Sequence, residues 1–269
     1  MPQLLRTVRA AVALLGLDDS APQRKSLRGA LLLSLAAYCA GCATTPAERA
    51  GDVPDRFEKM NRRVYQFDRN LDIHVVRPVA RFYDRIMPTP VERRVHNFFT
   101  NLYAPVDIIN NFLQAKFKHG FSDFGRFLLN STVGIAGIFD PARKLGLERH
   151  QEDFGQTLAV WGVPSGGPLV LPLLGIGTVR DWGAWTIDIR EDVLWYNDSD
   201  AKLGLVAWRY VSERAALLPG ERSLEASLDE YLFVREAYVQ HRRYLIYDGA
   251  PPPDDDELPS DSDAHDPDN

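Results

Sequence analysis

The sequence predicts an all-α fold with few or no strands. Three observations carry that expectation: apolar residues recur at intervals of three and four through most of the chain, proline and glycine punctuate the intervals between these stripes, and alternating apolar–polar runs are scarce. Phe57, Met60, Val64, Phe67 and Leu71 form the first stripe, with Glu58, Arg62, Arg63 and Arg69 between them, the pattern of an amphipathic helix. After Met87 to Pro90, a second stripe runs through Val91, Val95, Phe98, Phe99 and Leu102. Pro105 is expected to break it, because proline lacks the N–H that a helix interior needs. Ile108, Ile109, Phe112, Leu113 and Phe117 then begin a third. The segment Arg126 to Asp140 is more apolar, interrupted by Asn130, Ser131 and Thr132 and by Gly134 and Gly137. Leu203 to Leu218 and Leu224 to Tyr247 read as two further helices, and Thr186 to Asp192 is the best strand candidate.

Between the helices, Phe154 to Asp181 carries glycine or proline every few residues. Its apolar run Pro168 to Gly177 is roughly half of the twenty or so residues that cross a bilayer as a helix, and no segment after Cys42 reaches that length. Two readings stay open for it: a short apolar element lying in a membrane interface, or an ordinary buried core loop.

Both cysteines, Cys39 and Cys42, close an apolar run near the N-terminus. Their C-x-x-C spacing does not suit zinc, which takes about four ligands, because no second Cys/His cluster follows. Nor does it suit a thiol redox pair, which opens a helix behind a strand. The flanks suit export. Arg24, Lys25 and Arg28 make a basic region, Gly29 to Tyr38 an apolar region, and Ala40-Gly41 a small-residue cleavage site. A cysteine directly after such a site resembles the bacterial lipobox, in which the thiol is acylated, and that resemblance makes Cys42 a lipid anchor. The alternative is a short helical hairpin tucked onto the domain. The expected organisation is a lipoprotein-type signal peptide over 1–41, a tether over 42–54, one helical domain over 55–249 and a disordered acidic tail over 250–269.

The charge of −6 for the whole chain conceals an asymmetry. Asp254 to Asp268 holds eight acids and no Lys or Arg, and the body from Cys42 to Pro253 is close to neutral at −1. A nucleic-acid footprint needs a basic face, so nucleic acid is excluded as a partner. The acids of the tail lack the ordered spacing and glycine turn of a calcium loop.

The search for catalytic chemistry yields no site. Ser165 in Gly-Val-Pro-Ser-Gly-Gly lacks the glycine two residues ahead that a nucleophile elbow requires, position 163 being Val. The six histidines contain no H-E-x-x-H pair and no i,i+4 couple. His150 to Asp153 clusters titratable groups, and a solvated turn is the expectation there, against a metal or acid–base role. Neither a Walker nor a Rossmann glycine loop is present. The chain is expected not to be an enzyme and to need no cofactor or metal.

Five long blocks, in order, resemble the MlaA/VacJ family of lipoproteins: Asp55 to Asp72 continuing into Arg77 to Pro88, Asn97 to Gln114, Gly125 to Ala142, Glu152 to Val163, and Tyr231 to Ile246. The resemblance implies a ring of amphipathic helices sunk into the inner leaflet of the Gram-negative outer membrane, beside trimeric porins. It further implies removal of misplaced phospholipid from the outer leaflet and delivery to a periplasmic phospholipid-binding carrier, which would maintain lipid asymmetry. Ala43, rather than Asp, after the anchor agrees by family resemblance with outer-membrane sorting. On this reading the only covalent additions are the acyl chains on Cys42, and phospholipid is the transported ligand. A non-transporting envelope scaffold is the rival.

Two groups of residues are candidates for lipid contact. Ile135, Ile138 and Phe139, with Leu169, Leu171, Leu173 and Leu174, are expected to touch acyl chains. For Arg126, Asn130, Ser131 and Thr132 two readings stand: a path for the head group, with Arg126 attracting phosphate, or a helix cap with Arg126 paired to an acid such as Asp123.

Overall fold

The first helix shows how the sequence pattern is used. Glu58–Leu71 (α1) carries Glu58 in its first turn and Arg69 in its last, both favourable to the helix dipole. The periodicity is as expected, but its direction is inverted. Phe57, Met60 and Phe67 stand exposed, while the one buried residue is Asn61. Asn61 donates to Asp55 and to the Pro168 carbonyl at 2.9 and 3.0 Å and accepts from the Val170 N–H at 3.0 Å. The inward face is therefore held by hydrogen bonds.

This computed structural model describes residues 54–196 and 201–252; the signal peptide, tether, Cys42 and most of the acidic tail lie outside them. All the described residues fall in one compact unit. α1 continues through a single π turn, Asp72–Val76, into Arg77–Ile86 (α2), where Pro78 occupies a first-turn position that needs no N–H donor. Ala80 and Tyr83 of α2 pack on Ala215, with Met87, Val211 and Leu218 around them.

Thr89–Leu113 (α3) is one helix of 25 residues with Pro105 inside it, where a break is expected. The loss, about 3 kcal/mol for proline in a helix interior, is offset by burial on both sides of it, from Val95 and Phe99 to Val106 and Ile108. Phe117–Thr132 (α4) returns antiparallel along α3. Its buried residues are Gly120, Asp123 and Asn130, whereas Phe117, Phe121, Phe124 and Leu128 form an exposed apolar stripe. A Cβ at Gly120 would press on the Phe112 ring at 3.0 Å, so glycine permits this close approach. The turn after α4 places Ile135, Ala136 and Gly137 in the left-handed region, at φ 54, 54 and 90.

Short helices Pro141–Lys144 (α5) and Phe154–Val160 (α6) are capped by Asp140 and Asp153. Pro168–Leu171 (β1) and Gly175–Thr178 (β2) pair antiparallel, with Leu169 opposite Gly177 and Leu171 opposite Gly175. Thr178 then caps Val179–Glu191 (α7). The predicted strand at Thr186 to Asp192 is thus mostly helical: the cap starts a helix that buries Asp188 and exposes Ile187, and tertiary context overrides the β-branched residues.

Lys202–Ala216 (α8) is followed by Glu221–Glu225 (α9) and Glu230–Ile246 (α10). The single helix expected from Leu224 to Tyr247 is divided because Asp229 turns outward to cap a new start, accepting the Leu232 N–H at 3.1 Å. α10 packs its first turn against α1. Arg62 pairs with Asp229 at 2.8 Å, Arg69 with Glu230 at 2.8 Å, and the Tyr231 hydroxyl donates to Asp55. Among the described residues no helix is long and apolar enough to cross a membrane.

Candidate functional site

The interior is built from polar side chains. Of the nine largest fully buried side chains among the described residues, seven are polar: Gln156, Glu152, Asn61, Asn110, Asn111, Thr157 and Asp107. Soluble proteins rarely bury so many without apolar company. Here each is tied to a neighbour. Asp107 accepts from Arg149 at 2.8 Å and from the Glu152 N–H at 3.2 Å. Thr157 donates to Asn110 at 2.7 Å, Asn111 reaches Asp123 at 3.2 Å, and Gln114 donates to Glu152 at 2.6 Å. Burial pushes Asp107 and Asp123 up to about 6, against the pull of Arg149 and the other donors around them.

This network corrects the solvated turn expected at His150 to Asp153. Glu152 is buried and paired with Lys116 at 2.7 Å, and His150 stacks on His119 with ring centroids 3.9 Å apart. Asp153 caps α6 and receives both outer nitrogens of Arg242, which also reaches Asp181 at 3.0 Å. A Cβ at Gly155 would overlap Arg242, so that glycine makes the clamp possible. Among the described residues no group of three His, Cys, Asp or Glu could hold a metal.

Arg126, Asn130 and Ser131 are brought together, each with a partner. Arg126 pairs with Asp140 at 3.0 Å, not with Asp123, and donates to the Leu147 carbonyl. Asn130 donates to Asp140 at 3.0 Å and accepts the Ala142 N–H at 3.2 Å, so it holds the start of α5. Ser131 accepts from Asn101 at 2.9 Å, and Thr132 turns back to the Leu128 carbonyl on its own helix at 2.7 Å. The cavity beside Arg126 and Asn130 measures about 30 Å³, room for about one water. Ile135, Phe139, Leu173 and Leu174 are exposed; Ile138, Leu169 and Leu171 are half-buried.

A second cavity, of about 370 Å³, is more than tenfold larger. Its wall is divided by chemistry. Leu173, Leu174 and Ile176 of the hairpin, with Leu217, Leu224 and Phe233, give the apolar part. Tyr65, Asp68, Arg69 and Asp72 of α1 and its π turn, with Arg214 and Glu221, give the polar part. Arg214 donates to both oxygens of Asp72 at 2.7 and 2.9 Å and also reaches Glu221, while Arg77 approaches Glu221 at 2.9 Å. Burial opposes ionisation of Asp72 and Glu221, but these guanidiniums outweigh it and hold both carboxyls below their usual range. Burial pushes the Tyr65 hydroxyl up to about 12. The sequence does not announce this charged group, because Arg214 and Glu221 lie 142 and 140 residues from their partners Asp72 and Arg81. The one local signal was the i,i+3 pair Arg69 and Asp72.

A polar interior under an exposed apolar surface, with an amphipathic cavity among the described residues, defines the class of protein built to meet lipid. A family model described as MlaA lipoprotein matches residues 53–245. The chain belongs to the MlaA lipoprotein family. It is 35% identical over 213 residues to the intermembrane phospholipid transport system lipoprotein MlaA of Escherichia coli, covering 78% of this chain and 84% of that one. The MlaA of Haemophilus influenzae is 29% identical over 244 residues, 88% of this chain and 96% of that one. A solved structure described as the structural basis for maintenance of bacterial outer membrane lipid asymmetry superposes with a TM-score of 0.65 at 33% identity, covering 72% of this chain and 99% of that one.

Proposed function

We propose that this protein is the lipid-anchored component of a phospholipid transport system that maintains outer-membrane lipid asymmetry, moving phospholipid from the outer leaflet to a periplasmic carrier. The observation that carries the reading is the inverted polarity: seven of nine fully buried large side chains are polar, while Phe67, Phe82, Phe121, Ile135 and Leu173 are each more than half exposed. Such a surface is stable where hydrocarbon, rather than water, surrounds it. Acyl chains on Cys42 would hold the molecule at the inner leaflet, each buried CH₂ contributing about 0.8 kcal/mol. Trimeric porins beside it would give it a fixed place in the bilayer.

The work required is physical and involves no bond making. An unpaired charge costs several kcal/mol or more in hydrocarbon, so a phospholipid head group needs a polar route across it. The 370 Å³ cavity has both surfaces that a lipid presents, and we place the path there. The polar atoms of Arg126, Asn130, Ser131 and Thr132 are engaged by Asp140, Asn101 and backbone groups, which supports a bracing role for this cluster between α3, α4 and α5. No catalytic residue is needed, and the protein acts as a conduit and not as an enzyme.

A deletion strain tests the reading. Loss of the gene should place phospholipid in the outer leaflet and sensitise cells to detergent with chelator, and the wild-type gene should reverse both. Normal asymmetry in the deletion strain would return the protein to a scaffolding role.

A further inference from the structure

The polar wall of the larger cavity is balanced except at one residue. Arg69 is paired with Glu230, Arg81 with Glu221, Arg214 with Asp72 and Glu221, and Arg77 with Glu221 and Glu225. The two guanidiniums of the wall, Arg69 and Arg214, therefore each hold a carboxylate, and Arg77 and Arg81, which do not line the cavity, pair with the same group of acids. Asp68 is the acid left over. Among the described residues no cation lies within ion-pair distance of it, and its only hydrogen bond is from the Leu173 N–H to Oδ1 at 2.9 Å. Its Oδ2 is buried without a partner. One turn earlier on the same helix face, the Tyr65 hydroxyl is buried without a partner as well.

A carboxylate oxygen only accepts hydrogen bonds, so whatever satisfies Asp68 Oδ2 must donate, and a cation does so most strongly. A phosphate entering this wall meets guanidiniums already neutralised by Asp72, Glu221 and Glu230, so it finds little net positive charge there. An ammonium group meets the unpartnered Oδ2 of Asp68. We propose that Asp68 receives the ammonium of an amine-bearing phospholipid head group, so that the cavity takes ethanolamine-type lipids in preference to anionic glycerol-type lipids. Tyr65, a neutral hydroxyl one turn away, can donate to the phosphate that both classes share. The inference rests on the cavity being the lipid path and adds to that reading a selection by head group.

Full-length protein, purified in detergent and equilibrated with equimolar dioleoyl phosphatidylethanolamine and dioleoyl phosphatidylglycerol, would be examined by native mass spectrometry. Wild type should retain the ethanolamine lipid about tenfold or more over the glycerol lipid, the order expected of one charge-assisted hydrogen bond. Asp68→Asn keeps an oxygen for the Leu173 N–H and should bring the ratio to about one, through loss of ethanolamine lipid with the glycerol lipid retained; Asp68→Glu should keep the bias. An unbiased wild type, or a bias that persists in Asp68→Asn, would overturn the role of Asp68 while leaving the transport reading intact. Failure of wild type to retain either lipid would overturn both.

Discussion

Arg214 on α8 holds Asp72 in the π turn between α1 and α2 with two parallel hydrogen bonds, Nε at 2.7 Å and Nη2 at 2.9 Å. The same guanidinium reaches Glu221, so one side chain fastens three elements around the larger cavity. Arg214→Ala would leave two largely buried carboxylates short of their cation. A loss on the order of 2 kcal/mol is expected at pH 7, discounted from the buried-pair range for partial exposure. Arg214→Lys should recover only part of it, because an ammonium cannot make the planar two-pronged contact. Thermal unfolding in detergent measures this, and a variant as stable as wild type would show the contact to be incidental.

Gly137 stands at φ +90, and a Cβ there would overlap the side chain of Asn101. Gly137→Ala therefore meets both an unfavourable backbone and a steric clash, on the very asparagine that supports Ser131. The expected destabilisation is about 2 kcal/mol or more. Gly146→Ala, at φ +77 in open space, controls for the backbone effect alone. Equal unfolding temperatures for the two variants would show that the Asn101 approach is unimportant.

What was legible in the sequence was period, and what was not was direction. Phe57, Met60 and Phe67 announce a helix correctly, yet the same stripe in a soluble protein would face a core, and here it is Asn61 that does. Helix periodicity is a property of spacing, whereas the inward face depends on which solvent surrounds the molecule. Pro105 and Thr186 to Asp192 were misleading for a second reason. Local propensity is worth a few kcal/mol at most, and α4 packed along α3, or Thr178 capping α7, outweighs it. The candidate site was the least legible part. Arg62 meets Asp229 across 167 residues and Arg69 meets Glu230 across 161, and no local pattern carries such a pairing.

No cysteine follows Cys42 in the sequence, so if the proposed anchor is correct Cys42→Ala should abolish acylation and leave a precursor that is uncleaved or misplaced. Metabolic palmitate labelling and membrane fractionation follow this directly. Labelling retained by the variant would move the anchor elsewhere.

Phe139 and Leu174 are exposed apolar residues in two separate turns, and both are expected to touch acyl chains. Spin labels at either position should be relaxed by oxygen dissolved in lipid and little affected by an aqueous nickel reagent. The reverse pattern would put these turns in water.

Asp188 carries the pH prediction. It is buried on α7, its Oδ1 accepts the Phe154 N–H at 2.8 Å, and burial pushes it up to about 7, with the neighbouring Asp153 and Glu191 charges adding to the rise. A carboxyl whose pKa is higher folded than unfolded binds its proton more tightly in the native state. Its stabilising contribution is complete below the unfolded value near 3.8 and is lost as pH rises through about 7. Asp107 and Asp123, pushed up to about 6, act in the same direction. Asp72, Asp153, Asp181 and Glu221 are held low and act in the opposite one, losing their contribution as pH falls below the carboxylate range. His96, His119 and His150, held below the usual imidazole value by burial, also lose their contribution as pH falls, so the comparison of Asp188→Asn with wild type, rather than the optimum of either, isolates Asp188. Asp188→Asn preserves an acceptor for the Phe154 N–H and cannot ionise, so it should match wild type at pH 5 and exceed it at pH 8 by on the order of 1 kcal/mol. Unfolding temperatures of both proteins across that range decide the matter, and a difference between them that does not grow from pH 5 to 8 would show that Asp188 is ionised in the folded protein without penalty.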